Sequence, residues 1–197
     1  MEILNLVPQK IKKTATELVT RLKGGEVLIL PTDTVYGLVC DASNNKAVER
    51  IFKIKKRDRA QALPVFVEDI KMAEHYAFLT INNKEFLKKH WPGATTIILE
   101  AKNQLLSPLL YLNDTIALRR PDYKLLAEVL KNFTGPLAQT SANISGQPAI
   151  TKAKDILKQF EAQDEQPDLF VNFGDLPDRK PSEIIDYTEK TPKSVRK

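Results

Sequence analysis

The chain has 197 residues, 42% of them hydrophobic, a formal charge of +5 and a pI near 9.2. That length supplies the core of one domain, or one domain plus a small lobe, and no apolar run approaches the roughly 20 residues that cross a bilayer. The single cysteine, Cys40, excludes an internal disulfide framework, and His75 and His90 have no metal-ligand partners at useful spacing, so no zinc site is expected.

In chain order, Met1 to Asn5 shows neither a basic flank nor a long apolar core, so no signal peptide is read and a reducing cytoplasm is expected. Thr14 to Lys23 carries Ala15, Leu18, Val19 and Leu22 at helical spacing, and Gly24-Gly25 ends it. Glu26 to Leu30 reads as a buried strand. It runs into Pro31-Thr32-Asp33-Thr34-Val35-Tyr36-Gly37-Leu38, where hydroxyls, a carboxylate, a phenol and a glycine crowd together as in a site wall. Cys40 just beyond reads as a structural residue, with a catalytic thiol the weaker alternative. Ser43-Asn44-Asn45 offers N-caps for a helix from Lys46 to about Lys56.

Leu63 to Val67 follows as a strand, then helices over Asp69 to Tyr76 and Asn83 to His90. Trp91-Pro92-Gly93 breaks the chain before the β-branched strand Thr95 to Leu99. Thr115 to Arg119 is a strand, Tyr123 to Lys131 a helix, and Pro136 to Gln139 an apolar segment that ends in Thr140-Ser141-Ala142-Asn143. Thr151 is a cap for a helix to Phe160, Glu161 to Asp168 a polar loop, and Leu169 to Asn172 and Glu183 to Tyr187 closing strands. Strands alternate irregularly with helices and no repeat intervenes. The expectation is a single α/β domain over residues 1–197, with a twisted mixed sheet flanked by helices; the strand order does not follow from the pattern.

Several residues stand out chemically. Lys55 falls on the apolar stripe of Val48, Ile51 and Phe52. Either it snorkels to solvent, with Lys53, Lys56 and Arg57 complementing the helix dipole, or it leans over a strand-end site with Arg57 and Arg59 around an anion. Arg119 ends a strand, where it suits carboxylate or phosphate capture or else a surface ion pair. Ser141 and Asn143 can bind phosphate or a base edge, or form an Asx- or ST-turn. The Pro31–Leu38 segment, Arg119 and Ser141 all lie where strands run out, which points to one concave, basic, hydroxyl-rich pocket at the strand ends. Chemically that is a nucleotide pocket with room for a small polar co-substrate, and no Walker-type glycine loop is present. The charge suits an anionic partner, nucleotide or nucleic acid, or serves solubility alone.

Pro31-Thr32-Asp33-Thr34-Val35-Tyr36-Gly37-Leu38 resembles the signature of the YrdC-like threonylcarbamoyl-adenylate synthase family. Lys55-Lys56-Arg57, Trp91-Pro92-Gly93-Ala94-Thr95-Thr96, Ala117-Leu118-Arg119-Arg120-Pro121, Ser141-Ala142-Asn143-Ile144-Ser145-Gly146 and Pro181-Ser182-Glu183-Ile184-Ile185-Asp186 resemble its further motifs in the same order. The resemblance covers about residues 14–196 and fits the short form. It implies a twisted α/β sheet with a basic concave face. It also implies an enzyme that joins L-threonine, bicarbonate and ATP into threonylcarbamoyl-adenylate and pyrophosphate, with magnesium accompanying ATP. A separate transferase complex would then modify tRNA. Contact with tRNA or double-stranded RNA is a further implied property.

By the same resemblance, Lys55 and Arg57 are the catalytic cations on the ATP phosphates. Ser141, Asn143 and Arg196 hold the nucleotide, and Thr34, Arg119 and Ser182 bind L-threonine, with no protein-held metal. Lys55→Ala is then expected to weaken ATP binding with the fold intact. Asp58 and Gln61 depart from the family's usual proline and second lysine, and Glu183 from its usual threonine. These departures leave a YciO-like RNA-binding paralogue with little synthase activity as the alternative. The scarcity of aromatic–basic alternation favours the enzyme over a base-stacking RNA module.

Overall fold

Alternation of side chains along short strands sorts the core onto the two faces of one mixed sheet. The computed structural model describes residues 1–102, 104–189 and 191–196. Among them, eleven strands form the sheet: β1 (Glu2–Asn5), β2 (Leu28–Leu30), β3 (Gly37–Asp41), β4 (Val65–Phe66), β5 (Thr95–Glu100), β6 (Tyr111–Leu112), β7 (Thr115–Arg119), β8 (Leu137–Ser141), β9 (Leu169–Asn172), β10 (Glu183–Asp186) and β11 (Lys193–Arg196). Their order is β1-β9-β2-β3-β8-β4-β7-β5-β10-β11, with β6 paired beside β7. The β1–β9, β9–β2, β4–β7 and β5–β10 pairs are parallel and the remaining pairs antiparallel.

The helices are α1 (Ile11–Lys23), α2 (Asn45–Lys55), α3 (Ile70–Tyr76), α4 (Ile81–His90), α5 (Lys124–Phe133) and α6 (Ala153–Phe160). Asn44 caps α2 as its sequence position predicts, its Oδ1 accepting from the Ala47 N–H at 3.1 Å. Thr151 does not cap α6. Asp175 Oδ1 accepts from the Ala153 N–H instead, at 3.0 Å, so the cap comes from a distant loop.

Leu28, Leu30, Val39, Phe66, Leu137 and Leu169 point to one face, under α1 and α5. Their neighbours Ile29, Leu38, Cys40, Val65, Leu118 and Phe170 point to the other, toward α2, α3, α4 and α6. This strict period of two fixes the register, because a one-residue slip would exchange the faces. Burial pushes the Cys40 thiol pKa up, which makes it an inert core residue as its sequence setting predicts.

The cluster beneath α1 and α5 contains no residue of β5, β7 or β10 among the described residues. On that half of the sheet the same face carries the half-buried Ile98, Thr115, Ala117 and Ile184. One face is therefore helix-covered over its first half and open over its second. No described helix is long and apolar enough to cross a membrane.

Candidate active site

Register decides which side chains reach the open face. Gly37 lies opposite Ser141, whereas Leu137, four residues earlier on β8, lies opposite Phe66, which pairs with Arg119 on β7. Ser141 and Arg119 each end a strand, but at opposite ends of the sheet. The expected strand-end pocket is thus corrected to a cleft lying across the sheet face. The reason is that β8 runs antiparallel to β4, while β4 runs parallel to β7. Parity places the side chains: Gln139 and Ser141 share the face of Leu137, and Thr96 shares that of its partner Arg119. Ser182 joins them through a 2.9 Å hydroxyl–hydroxyl contact with Thr96.

The segment from β2 to β3 crosses this face and closes the cleft. Thr34, Arg119, Ser141, Ser182 and Arg196 all line it, together with Thr32 and Gln139, around about 50 Å3 of free space. The Thr32 hydroxyl donates to the Val35 carbonyl at 2.7 Å and accepts from the Thr34 N–H at 3.0 Å. With its one proton committed, Thr32 must accept from the Thr34 hydroxyl 3.0 Å away. The Thr34 oxygen then turns its lone pairs to Arg119 Nη1, which donates to it at 3.4 Å.

Arg119 is 2% exposed and is held on three sides. Its Nη2 donates to Asp33 Oδ1 at 2.6 Å, its Nε to the Gly93 carbonyl at 3.1 Å, and its Nη1 to Thr34. Its Cζ lies 5.7 Å from the centre of the Phe66 ring, within cation–π range. Burial lowers its pKa and the Asp33 carboxylate opposes that shift, so it stays a guanidinium. A guanidinium has five N–H groups, and the three used here leave two for an incoming carboxylate. Gly93 reaches its place because the Trp91 indole donates to the Thr95 carbonyl at 2.8 Å, folding the 91–95 segment over β5.

The Lys55 alternatives resolve toward burial. Its side chain leaves the last turn of α2 and ends at the 141–143 turn, with the residue 1% exposed. Nζ donates to the carbonyls of Ser141 and Asn143 at 2.6 and 2.7 Å, and to Asn143 Oδ1 at 3.1 Å. Burial, with Arg57 nearby, pushes its pKa down to about 7. Three acceptors around one nitrogen oppose that shift, because only the ammonium form satisfies them all.

Asn143 completes the turn by donating Nδ2 to the carbonyls of Ile144 and Gln147, at 3.0 and 2.6 Å. The turn closes at Gly146, whose φ of +83° suits glycine. Arg57 follows the left-handed C-cap Lys56 and donates to the carbonyls of Gln61 and Ala62. Arg196 donates to the Ser182 carbonyl at 3.2 and 2.9 Å. Burial lowers the pKa of both arginines, and Arg196 lowers that of Arg57 further. Arg57 and Arg196 thus form a cationic flank beside the cleft, and among the described residues their hydrogen bonds go to carbonyl oxygens.

The structure therefore brings Thr34, Arg119, Ser141, Ser182 and Arg196 into one cleft. Lys55 and Asn143 stand behind the turn that carries Ser141, and Arg57 stands to one side. Asp33, Thr32, Thr96 and Gln139 also belong to the site. Asp33 had no assigned step in the sequence, because the residue that explains it lies 86 positions away. No group of three or more His, Cys, Asp or Glu among the described residues is placed to hold a metal ion.

Tyr36 fastens the crossing segment to the loop after β9. Its hydroxyl donates to the Gly174 carbonyl at 2.6 Å and accepts from the Phe173 N–H at 3.1 Å. Burial raises its pKa, which keeps it a phenol at neutral pH. Tyr36→Phe is expected to lower stability by about 1–3 kcal/mol, read as a lower urea midpoint with an unchanged slope. An unchanged midpoint would show that these two bonds contribute nothing.

The Sua5/YciO/YrdC family model, described as "Telomere recombination", matches residues 20–197. The chain is 36% identical over 144 residues to the threonylcarbamoyl-AMP synthase of Bacillus subtilis, covering 72% of this chain but only 42% of that one. It thus spans about two fifths of that relative's length. It is 32% identical over 196 residues to the putative threonylcarbamoyl-AMP synthase of Methanocaldococcus jannaschii, covering 100% of this chain and 91% of that one. The structure of P. abyssi Sua5 complexed with L-threonine superposes with a TM-score of 0.86 at 28% identity, over 100% of this chain and 57% of that one.

Proposed function

The chain belongs to the Sua5/YciO/YrdC family, and from that premise we propose that it is an L-threonylcarbamoyladenylate synthase. The observation that carries the reading is Arg119: a buried guanidinium with two N–H groups to spare, beside a threonine hydroxyl and a cationic flank. An amino-acid carboxylate takes the two spare donors of Arg119, with Thr34 and Ser182 against the rest of the molecule. The nucleotide lies toward Ser141, Asn143 and Arg196.

The chemistry follows from these positions. The neutral threonine amine captures the carbon of bicarbonate as a carbamate, with loss of water. A carbamate oxygen then attacks the α-phosphorus of ATP, and pyrophosphate leaves. The carbamate is labile in water, so a narrow cleft that excludes solvent protects it and aligns the attacking oxygen. Charge growing on the pyrophosphate needs fixed cations, which Arg57 and Arg196 supply. A phosphate oxygen that replaced one of the three Lys55 acceptors would bring Lys55 into direct contact as well.

Magnesium would arrive on the ATP phosphates. Asp33, the carboxylate beside the cleft, is engaged by Arg119, so these residues do not fit a protein-held magnesium site. The adenylate would pass to a separate threonylcarbamoyl transferase acting on tRNA. The +5 charge supports contact with tRNA or another anionic partner, in a cytoplasmic setting.

Pyrophosphate release measured with each substrate omitted in turn tests the reading. Release that needs ATP, threonine and bicarbonate together supports it. Release without threonine, or none from the folded chain, rejects it and favours a low-activity paralogue.

A further inference from the structure

A second hollow lies on the far side of the crossing segment. It holds about 490 Å3 and is lined by Asp33, Thr34, Ala94, Arg179, Lys180, Pro181 and Glu183. Thr34 and Pro181 line both this chamber and the narrow cleft, so the two spaces share these residues as a common wall. Resting on the synthase reading, we propose that the small co-substrate, a carboxylate-type anion, reaches Arg119 through this chamber, whose mouth is edged by Arg179 and Lys180. The nucleotide occupies the cleft on the other side of Thr34.

Geometry and charge both lead there. The cleft offers about 50 Å3, and a nucleotide over Ser141 and Arg196 would cover it. A small substrate lying deeper would be sealed in or out unless a separate opening served it. Asp33, which lines the chamber, is the residue whose carboxylate Arg119 holds. Arg179 Nη1 donates to the Asp33 carbonyl at 2.9 Å, and Asp33 Oδ1 in turn lies 2.6 Å from Arg119 Nη2. Arg179 and Lys180 are exposed. Of the described residues lining the chamber, Asp33 and Glu183 carry carboxylates, and Asp33 is neutralised by Arg119, which leaves Glu183 against Arg179 and Lys180.

An arginine fork matches a planar O–C–O anion, and cations at a lip raise the local concentration of such anions. Both the carboxylate of threonine and bicarbonate present that group. The lining of the chamber includes neither Arg57 nor Arg196, and the crossing segment borders it through Asp33 and Thr34.

Arg179→Glu tests the proposal, with Arg179→Gln as the milder change. Arg179 is exposed and bears on one carbonyl, so both variants are expected to fold. The expected result is a KM about tenfold higher for threonine or for bicarbonate, with the ATP KM within about twofold. A rise for threonine assigns the mouth to the amino acid, and a rise for bicarbonate alone assigns it to that anion; either supports the proposal. An equal rise for ATP, or no change for either small substrate, overturns it and leaves the synthase reading standing. If the unaltered chain releases no pyrophosphate, that reading fails instead. Stopped-flow binding of L-threonine then decides the mouth: a slower association rate in Arg179→Glu supports it, while an unchanged rate or no binding overturns it.

Discussion

Arg119→Ala is expected to abolish threonine-dependent pyrophosphate release, lowering kcat/KM by about two to three orders of magnitude. Two losses combine. The two spare N–H donors for the substrate carboxylate disappear, and Asp33 is left as a carboxylate with no counter-ion in a side chain 7% exposed. Breaking a buried pair by removing one partner costs about 3–5 kcal/mol, because the remaining charge has no solvent to return to. Stability should therefore fall with activity, and the single variant cannot separate the two effects. The double variant Arg119→Ala with Asp33→Ala can, since it removes both charges. Its urea midpoint should recover toward that of the unaltered chain, while activity stays lost. Recovery of activity in the double variant would show that Arg119 matters only for folding.

Lys55→Ala should also act through structure as well as charge. From sequence alone this substitution was expected to leave the fold intact. The structure differs, because Lys55 Nζ satisfies three acceptors that no water replaces easily at a site 1% exposed. Orphaning buried acceptors costs about 1–3 kcal/mol each in the worst case. The expected result is a loss of about 2–4 kcal/mol in stability and a fall of about a hundredfold in kcat/KM for ATP, since the 141–143 turn loses its anchor.

The pH dependence carries a sign. With a pKa lowered to about 7, Lys55 holds its charge below that pH and loses it above. An anionic nucleotide favours the charged form. Nucleotide affinity should therefore decline as pH rises from about 6 to 8, and the decline should vanish in Lys55→Ala. A flat profile in the unaltered chain would mean that the carbonyl cage keeps Lys55 charged throughout, or that it does not act on the nucleotide.

Much of the local structure was legible because it depends on neighbours in sequence. Asn44 and Asp69 cap α2 and α3 by accepting from backbone N–H groups three residues on, and the β-branched run at Thr95 forms β5. What escaped depends on distant partners. β1 is exposed except at the half-buried Leu4 and exists because it pairs with β9, whose residues lie far along the chain. β11 is exposed along its length and is held by β10.

The site followed the same division. The family resemblance grouped Thr34, Arg119, Ser141, Ser182 and Arg196, and the misfit of Lys55 on an apolar stripe left it between solvent and the site. Asp33 could not be assigned without Arg119, nor Thr96 without Ser182. Gln139 reads as an ordinary strand residue, and Thr96 as part of a motif without a partner, until the register shows that their face of the sheet is open. The strand-end location failed for a topological reason, since the sense of β8 relative to β7 is invisible in the sequence of either strand.

The most direct test of the account is the product itself. The chain should be incubated with ATP, L-threonine and isotopically labelled bicarbonate, and the nucleotides resolved by mass spectrometry. The account predicts an adenylate heavier than AMP by a threonylcarbamoyl group, carrying the labelled carbon, in step with pyrophosphate. An adenylate of threonine without that carbon, or no adenylate from the folded chain, would contradict it.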